Sequence, residues 1–210
     1  MKDKLRIGLC VPNYNDDCKF MFAFSLWKTK FPDGAAVRLV ASRAQWACNA
    51  LTMMVTEYIA WGADFFVILS NDIAWNPNDI TLLIGHNLPI VGGWASGRCH
   101  PFLCHVCDYY DSEKNAFRPV KNEDAAKRMG VEKIYANGGE MMVIRRDVFD
   151  KIPYPWFFGP EMIGKDRLVT EDYFFAKQAM KYGVDIYVDW DVPIKHAVNG
   201  MTTHKGVLIA

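Results

Sequence analysis

The sequence predicts an α/β fold, with a mixed, mainly parallel sheet and helices on both faces, in a single domain. Three observations carry that prediction. Short, almost wholly apolar runs alternate with longer amphipathic segments through the amino-terminal half, the order that builds a parallel sheet through crossover helices. Apolar residues make up 51% of the chain and aromatics 14%, enough for a dense core on two sides of a sheet. The 210 residues contain no repeat, low-complexity tract or Pro/Gly-rich linker, and that length suits one sizeable α/β domain better than two.

The elements follow in order. Residues 5–12 (LRIGLCVP) form a short apolar run that breaks at Asn13-Tyr14-Asn15-Asp16, so they read as a buried strand entering a loop. Residues 18–28 read as a helix stopped by Phe31-Pro32-Asp33-Gly34, a strong turn signal. Residues 37–41 are a second strand. Residues 44–61 are the clearest helix: Ala47, Leu51, Met54, Val55 and Tyr58 recur at spacings of three and four, which puts them on one face. Gly62 ends it, being free to adopt positive φ. Residues 64–69 (DFFVIL) are a third strand, stopping at Ser70-Asn71-Asp72. Asn78 or Asp79 is positioned to cap a helix running to residue 85, and residues 90–94 are a fourth strand.

Beyond Ser96 the pattern loosens, and residues 98–132 are expected to hold a hairpin and loops. A strand returns at 141–144. Residues 171–182 are helical with Phe175, Ala176 and Ala179 inward. Residues 186–188 and 192–196 read as two short late strands, and everything from 201 onward as a tail.

Charge and composition narrow the function. Lys+Arg and Asp+Glu both number 24, so the formal net charge is zero. Lys127-Arg128 and Arg145-Arg146 are isolated pairs rather than the basic stripe of a general nucleic-acid binder. No segment reaches the roughly 18 uninterrupted apolar residues of a membrane span, so stable membrane insertion is not expected. The apolar run after the charged start is too short for a signal peptide. Six cysteines without a secretion signal point to reduced thiols and a cytoplasmic location.

In an open α/β sheet, ligands bind beyond the carboxyl ends of the strands. The residues there are Pro12-Asn13 after the first strand, Arg43 after the second, Ser70-Asn71-Asp72 after the third, and Gly92-Gly93-Trp94 with Arg98 at and after the fourth. No G-x-G-x-x-G, P-loop or Gly-rich basic start is present, so dinucleotide, P-loop and nucleotidyltransferase readings lose their main support. Asp72 is placed either to hold a divalent cation or to cap the next turn. Glu171-Asp172 offer a general base, or acids in a first helical turn behind an N-cap at Thr170. Arg43 and Arg98 can reach a phosphate or pair with carboxylates. Trp94 and Trp156 can stack on a ligand or fill the core. Three cysteines and two histidines between Cys99 and Cys107, with Cys104-x-x-Cys107 spacing, could supply a structural zinc site or be ordinary buried thiols.

The run 62–73 (GADFFVILSNDI) resembles the segment of GT-A glycosyltransferases that ends in their D-x-D motif. Gly138-Gly139-Glu140 before the strand Met141-Met142-Val143-Ile144, with Arg145-Arg146-Asp147-Val148-Phe149 after it, is similar to the family's acceptor-side strand and following turn. Pro155-Trp156-Phe157 and Glu171-Asp172-Tyr173-Phe174-Phe175 are similar to its P-W-F and E-D stretches. Ile194-Lys195-His196 resembles the strand whose terminal histidine completes the metal site. The resemblance spans residues 7–196. Ser70 departs from it, standing where the first acid of D-x-D belongs.

The resemblance implies a GT-A, Rossmann-like domain with a nucleotide-sugar-binding half, 1–97, and an acceptor-side half, 98–210. It implies a glycosyltransferase, hexosyltransferase-like and of inverting type, that moves a sugar from a nucleotide-diphosphate sugar to an unidentified acceptor. Asp72 and His196 would hold Mn2+ or Mg2+, the imidazole favouring Mn2+. Asp172, or failing it Glu171, would be the catalytic base. Pro12, Asn13, Arg43, Asn71, Asp72 and Arg98 would border the donor, and Gly138, Gly139 and Trp156 the acceptor. Two alternatives stand beside this: a catalytically weak or inactive nucleotide-sugar or glycan-binding module of the same fold, suggested by Ser70, and a zinc-stabilised interaction protein centred on Cys99 to Cys107.

Overall fold

A computed structural model describes residues 4–13, 18–42, 46–97, 103–158, 161–163, 167–198, 200–203 and 206–208. The amino-terminal half alternates as the hydrophobic pattern requires. It runs β1 (Arg6–Val11), α1 (Phe20–Lys28), β2 (Ala36–Ala41), α2 (Ala47–Trp61), β3 (Phe65–Leu69), the two-residue β4 (Ile73–Ala74), α3 (Asp79–Gly85) and β5 (Ile90–Ala95). β3 and β5 are buried at every residue, which explains why they are continuous apolar runs and not alternating ones. α2 buries Leu51, Met54, Val55 and Tyr58 along one stripe. It ends at Gly62, whose φ of 77° lets its N–H reach the carbonyls of Ile59 and Tyr58.

The second half adds β6 (Leu103–Asp111), β7 (Ala116–Lys121), α4 (Asn122–Ala125), β8 (Val131–Ile134), β9 (Ala136–Asn137), β10 (Met141–Arg145), α5 (Asp147–Lys151), β11 (Glu161–Ile163), β12 (Arg167–Val169) and α6 (Glu171–Lys181). It closes with β13 (Ile186–Val198), β14 (Gly200–Thr203) and β15 (Gly206–Leu208). The main sheet runs β15-β14-β13-β5-β10-β3-β1-β2, with β4 and β8 also paired to β13. β1 is parallel to β2 and β3, and β13 is parallel to β5. β10 alone runs antiparallel between β3 and β5. The sheet separates two apolar clusters, one formed with α2, α5 and α6 and the other with α1 and α3. The expected mixed sheet with helices on both faces forms, with a parallel core to which β4, β8 and the β14–β15 hairpin add antiparallel pairings.

Three local expectations give way to the structure. The two late strands are one, β13, interrupted by a register shift between Val188 and Pro193; a proline without an N–H suits such an irregularity. The expected tail folds back as β14 and β15, where ladder hydrogen bonds replace the apolar pattern that was absent from the sequence. Asn78 stands at the N-cap of α3 without a side-chain cap bond; the Asp79 carboxylate instead accepts the Asn76 N–H at 2.8 Å. Gly92 is needed by packing, since a Cβ there would lie 2.6 Å from Asn137 Nδ2 and 2.7 Å from the Met141 carbonyl.

Candidate functional site

Because β10 runs against its neighbours, its amino end lies at the carboxyl edge of β3 and β5. The Ser70 N–H, just past β3, donates to the Glu140 carbonyl at 2.9 Å, and the Gly138 N–H donates to the His105 carbonyl at 2.8 Å. On the far side of β5, β13 carries His196 past the end of that strand. The His196 Nδ1 donates to the Ser96 carbonyl at 2.8 Å. A carbonyl only accepts, so Nδ1 holds the proton and Nε2 carries the lone pair. That Nε2 is 3.9 Å from Glu140 Oε1, and His105 Nδ1 donates a hydrogen bond to the same carboxylate oxygen. The two imidazole rings meet edge to face with centroids 5.4 Å apart.

Hence one ligand atom from each of His105, Glu140 and His196 lies within 4.8 Å of the others. Among the described residues this is the group with metal-ligand geometry. Glu140 is 7% exposed and His196 fully buried. The glycines ahead of Glu140 are close to obligatory: a Cβ on Gly138 would lie 2.7 Å from His105 Cβ and 2.8 Å from Glu140 Oε2, and Gly139 has φ +72°. Asp72 is buried, and the next residue in sequence, Ile73, pairs with His196.

Asp172 borders the same place, since a Cβ on Gly139 would lie 3.5 Å from Asp172 Cβ. It opens α6 directly after Glu171. Burial pushes its carboxyl up from 3.8 to about 6. The charges of Glu171 and Glu140 add to the rise, while hydrogen bonds from the Thr170 hydroxyl and the Tyr173 N–H oppose it. Thr170 therefore does not act as the side-chain N-cap its sequence position suggests; its hydroxyl goes to Asp172 Oδ1.

The other candidates divide. Pro12 and Asn13 follow β1; the Asn13 N–H donates to Ser42 Oγ at 2.9 Å, and Asn71 Nδ2 donates to Asn13 Oδ1 at 3.3 Å. These contacts tie together the carboxyl ends of β1, β2 and β3. Arg43 and Arg98 lie outside the described residues. Trp156 packs on the core, its ring 5.3 Å from Phe149 and its N–H on the Ile152 carbonyl at 2.8 Å. Trp94 is 4% exposed, with its N–H on the Trp190 carbonyl. Of the cysteine-rich segment, Cys99 and His100 lie outside the described residues. Cys104 and Cys107 are core residues whose thiols burial pushes up to about 12 and about 11, and neither joins a metal-ligand group among the described residues.

Sequence did not read Glu140, in the Gly-Gly-Glu run, as a ligand, and it weighed His105 only for a zinc site in the cysteine-rich run. For Glu140 the explanation is topological: an antiparallel insertion presents its amino end where parallel strands present their carboxyl ends. His105 arrives from β6, whose backbone meets the turn before β10 at Gly138.

No family model matches the sequence, and no curated protein matches it significantly. Solved structures do. Protein A197 from STIV aligns over 98% of this chain and 94% of its own, with a TM-score of 0.66 at 11% identity. GalNAc-T7, solved with UDP, GalNAc and Mn2+, aligns over 93% of this chain with a TM-score of 0.60 at 10% identity. This chain spans 44% of the GalNAc-T7 chain. At such identities the likeness concerns architecture: the α/β mixed sheet with a parallel core resembles the GT-A fold.

Proposed function

We propose that this chain is a divalent-metal-assisted glycosyltransferase that moves a sugar from a nucleoside-diphosphate sugar to an acceptor hydroxyl. The observation that carries the reading is the His105–Glu140–His196 cluster, two of its members buried, at the carboxyl edge of a GT-A-like sheet, with Asp172 beside it. The donor set fits a metal. The His196 tautomer is fixed with its lone pair toward Glu140, and 3.9 Å between Nε2 and Oε1 is too long for a hydrogen bond yet short enough for both atoms to reach one ion. Two imidazoles and a carboxylate suit Mn2+ better than Mg2+. Asp72, which leads to the strand paired with His196, would add a carboxylate to the ion directly or through water. When bound, the ion neutralises charge on the departing diphosphate.

The chain's own residues do the rest. Asp172 accepts the proton of the acceptor hydroxyl as the acceptor oxygen bonds to the sugar's anomeric carbon, and the bond from that carbon to the diphosphate oxygen breaks. A carboxylate held near 6 is largely ionised at neutral pH and a stronger base than a free one. Glu171 is the second choice for that role. Asn13, Asn71 and Pro12 border the nucleotide in this reading, with Arg43 and Arg98 toward its phosphates. Gly138 and Gly139 lie on the acceptor side in this reading, where they let His105, Glu140 and Asp172 pack close. The nucleotide, sugar and ion named for GalNAc-T7 belong to the classes proposed here. Ser70 supports a second reading, a binding module of the same fold without turnover.

The test is thermal unfolding with UDP, GDP, CDP or dTDP, each with and without Mn2+. A ligand at a hundredfold its Kd adds about 2.7 kcal/mol, or roughly 5–10 °C for a chain of this size. One nucleotide is expected to raise the Tm in a metal-dependent manner, and its sugar conjugate to be slowly hydrolysed. Stabilisation without hydrolysis supports the binding module. No shift with any nucleotide overturns both readings.

A further inference from the structure

α1 turns the wrong side outward for a helix that only covers a sheet. Its inner face buries Phe22 and Ser25. Ser25 Oγ accepts the Trp75 N–H at 3.2 Å, and Thr29 just beyond the helix accepts the Trp75 indole N–H at 2.9 Å. The outer face carries Phe20, Phe24 and Trp27, at i, i+4 and i+7, which makes a single stripe. Phe20 is 77% and Trp27 79% exposed. The rings form a ladder, 6.0 Å from Phe20 to Phe24 and 6.1 Å from Phe24 to Trp27, with Lys28 Nζ 4.1 Å above Phe24. Isolated exposed apolar residues need no explanation, but a contiguous aromatic stripe does.

The charged residues of α1 and its immediate ends are basic. Lys19, Lys28 and Lys30 are exposed, and the sequence has no acidic residue from Cys18 to Pro32. Across a shallow groove lined by Met21, Phe24, Trp75 and Pro193, exposed Lys195 faces the same side as Lys28.

We propose that this face docks on an anionic lipid bilayer, with Phe20, Phe24 and Trp27 in the interface and the lysines among the headgroups. Aromatic side chains rimmed by lysine are what a helix lying in the plane of a membrane surface presents. Nine residues are too few to span a bilayer, and no helix among the described residues is long and apolar enough to cross one. A second copy fits poorly: a two-fold contact through this stripe would set Lys19, Lys28 and Lys30 near their own equivalents. A small molecule fits poorly too, since the groove holds about 200 Å3 against the roughly 300–1,000 Å3 of ordinary ligand pockets. The helix also abuts the candidate site, the Lys19 N–H donating to the Asn71 carbonyl at 3.3 Å, so a bilayer seated on α1 lies beside the cleft. The surface stands independently of the sugar-transfer reading.

The experiment is sedimentation of the purified chain with phosphatidylcholine vesicles and with vesicles of phosphatidylcholine and phosphatidylglycerol. Binding is expected only to the mixed vesicles and is expected to fall as salt rises. F20S/W27S is expected to lower the partition coefficient about tenfold or more, and K28E/K30E by roughly fivefold for each lysine lost. All four residues are exposed, and an unchanged Tm and far-ultraviolet spectrum check the fold; if the aromatic pair misfolds, the lysine pair carries the test. The proposal is overturned by absence of binding to either vesicle, or by equal partition of both variants and the parent. It is overturned equally if light scattering shows a dimer that F20S/W27S dissolves.

Discussion

Replacing Asp172 with asparagine should stabilise the protein at neutral pH and leave it unchanged in acid. Burial, with Glu171 and Glu140 nearby, pushes the Asp172 carboxyl up from 3.8 to about 6. A carboxyl whose pKa is raised by folding binds its proton more tightly in the native state. Its contribution is therefore fully present below pH 3.8 and is lost as pH climbs through about 6. Each tenfold change in proton affinity is worth about 1.4 kcal/mol, so the whole interval corresponds to on the order of 3 kcal/mol. Two effects reduce this. The side chain is half-buried and so partly screened, and a charge in the first turn of α6 gains about 0.3–1 kcal/mol from the helix dipole. Asparagine keeps an oxygen to accept the Thr170 hydroxyl and the Tyr173 N–H. The net expectation is a gain of about 1–2 kcal/mol at pH 7.5 that shrinks to nothing near pH 4. Urea unfolding of parent and variant across that range measures it, and the titrations of other groups cancel in the difference. A D172N variant that is less stable at pH 7.5, or whose difference does not change with pH, would refute the assignment of a desolvated carboxyl at this position.

Further predictions follow from the same structure. E140Q and H196A should each abolish Mn2+-dependent stabilisation, and in the parent that stabilisation should weaken as pH falls, because a cation has to displace the proton between His105 and Glu140; Mn2+ titration followed by electron paramagnetic resonance at two pH values reads both. Y58F removes a hydroxyl that lies 2.8 Å from both the Leu9 and Arg38 carbonyls, and should cost about 1–3 kcal/mol in urea unfolding. G8A would drive a Cβ to within 2.5 Å of the buried Tyr58 ring, and should lower stability by about 1–3 kcal/mol or more; pairing it with Y58L should recover part of that loss.

Periodicity made most of the fold legible. β1, β3 and β5 were visible as continuous apolar runs because a strand covered on both faces has no polar side to show. α2 was visible because a helix covering a sheet repeats at three and four. β14 and β15 were not, since a short hairpin held by ladder bonds needs no hydrophobic pattern of its own. Asn13, Asn71 and Asp72 were chosen by looking past carboxyl ends, and the tie from Asn71 to Asn13 shows that the ends of β1 and β3 do converge. Glu140 escaped as a ligand, and His105 was weighed only for zinc, for a different reason. The place of Glu140 depends on which way β10 runs between its neighbours, and that of His105 on the separate β7-β6-β9 sheet meeting this edge; neither direction nor sheet contact leaves a trace in hydrophobic spacing.

That direction bears on Ser70. A serine at the first acidic position removes a carboxylate from the β3 edge, and loss of function is the simple inference. Yet the antiparallel β10 brings another carboxylate to that edge, with its backbone bonded to the Ser70 N–H itself. If the site had merely decayed, nothing would favour keeping a glutamate only 7% exposed against two histidines, one fully buried. Burying an ionisable group costs several kcal/mol unless a partner of opposite charge offsets it, and each histidine could be exchanged for an apolar residue at less cost. On the proposed reading the donor set differs from a D-x-D pair in kind as well as in place. Two acids on one strand end suit a hard ion, whereas one acid and two imidazoles drawn from β6, β13 and the turn before β10 suit a softer one. On that reading, then, selectivity for Mn2+ over Mg2+ should be sharper here than Asp72 and His196 alone would give, and the ion, once bound, would add a link among three segments already in contact through the His105–Glu140 hydrogen bond and the edge-to-face imidazoles.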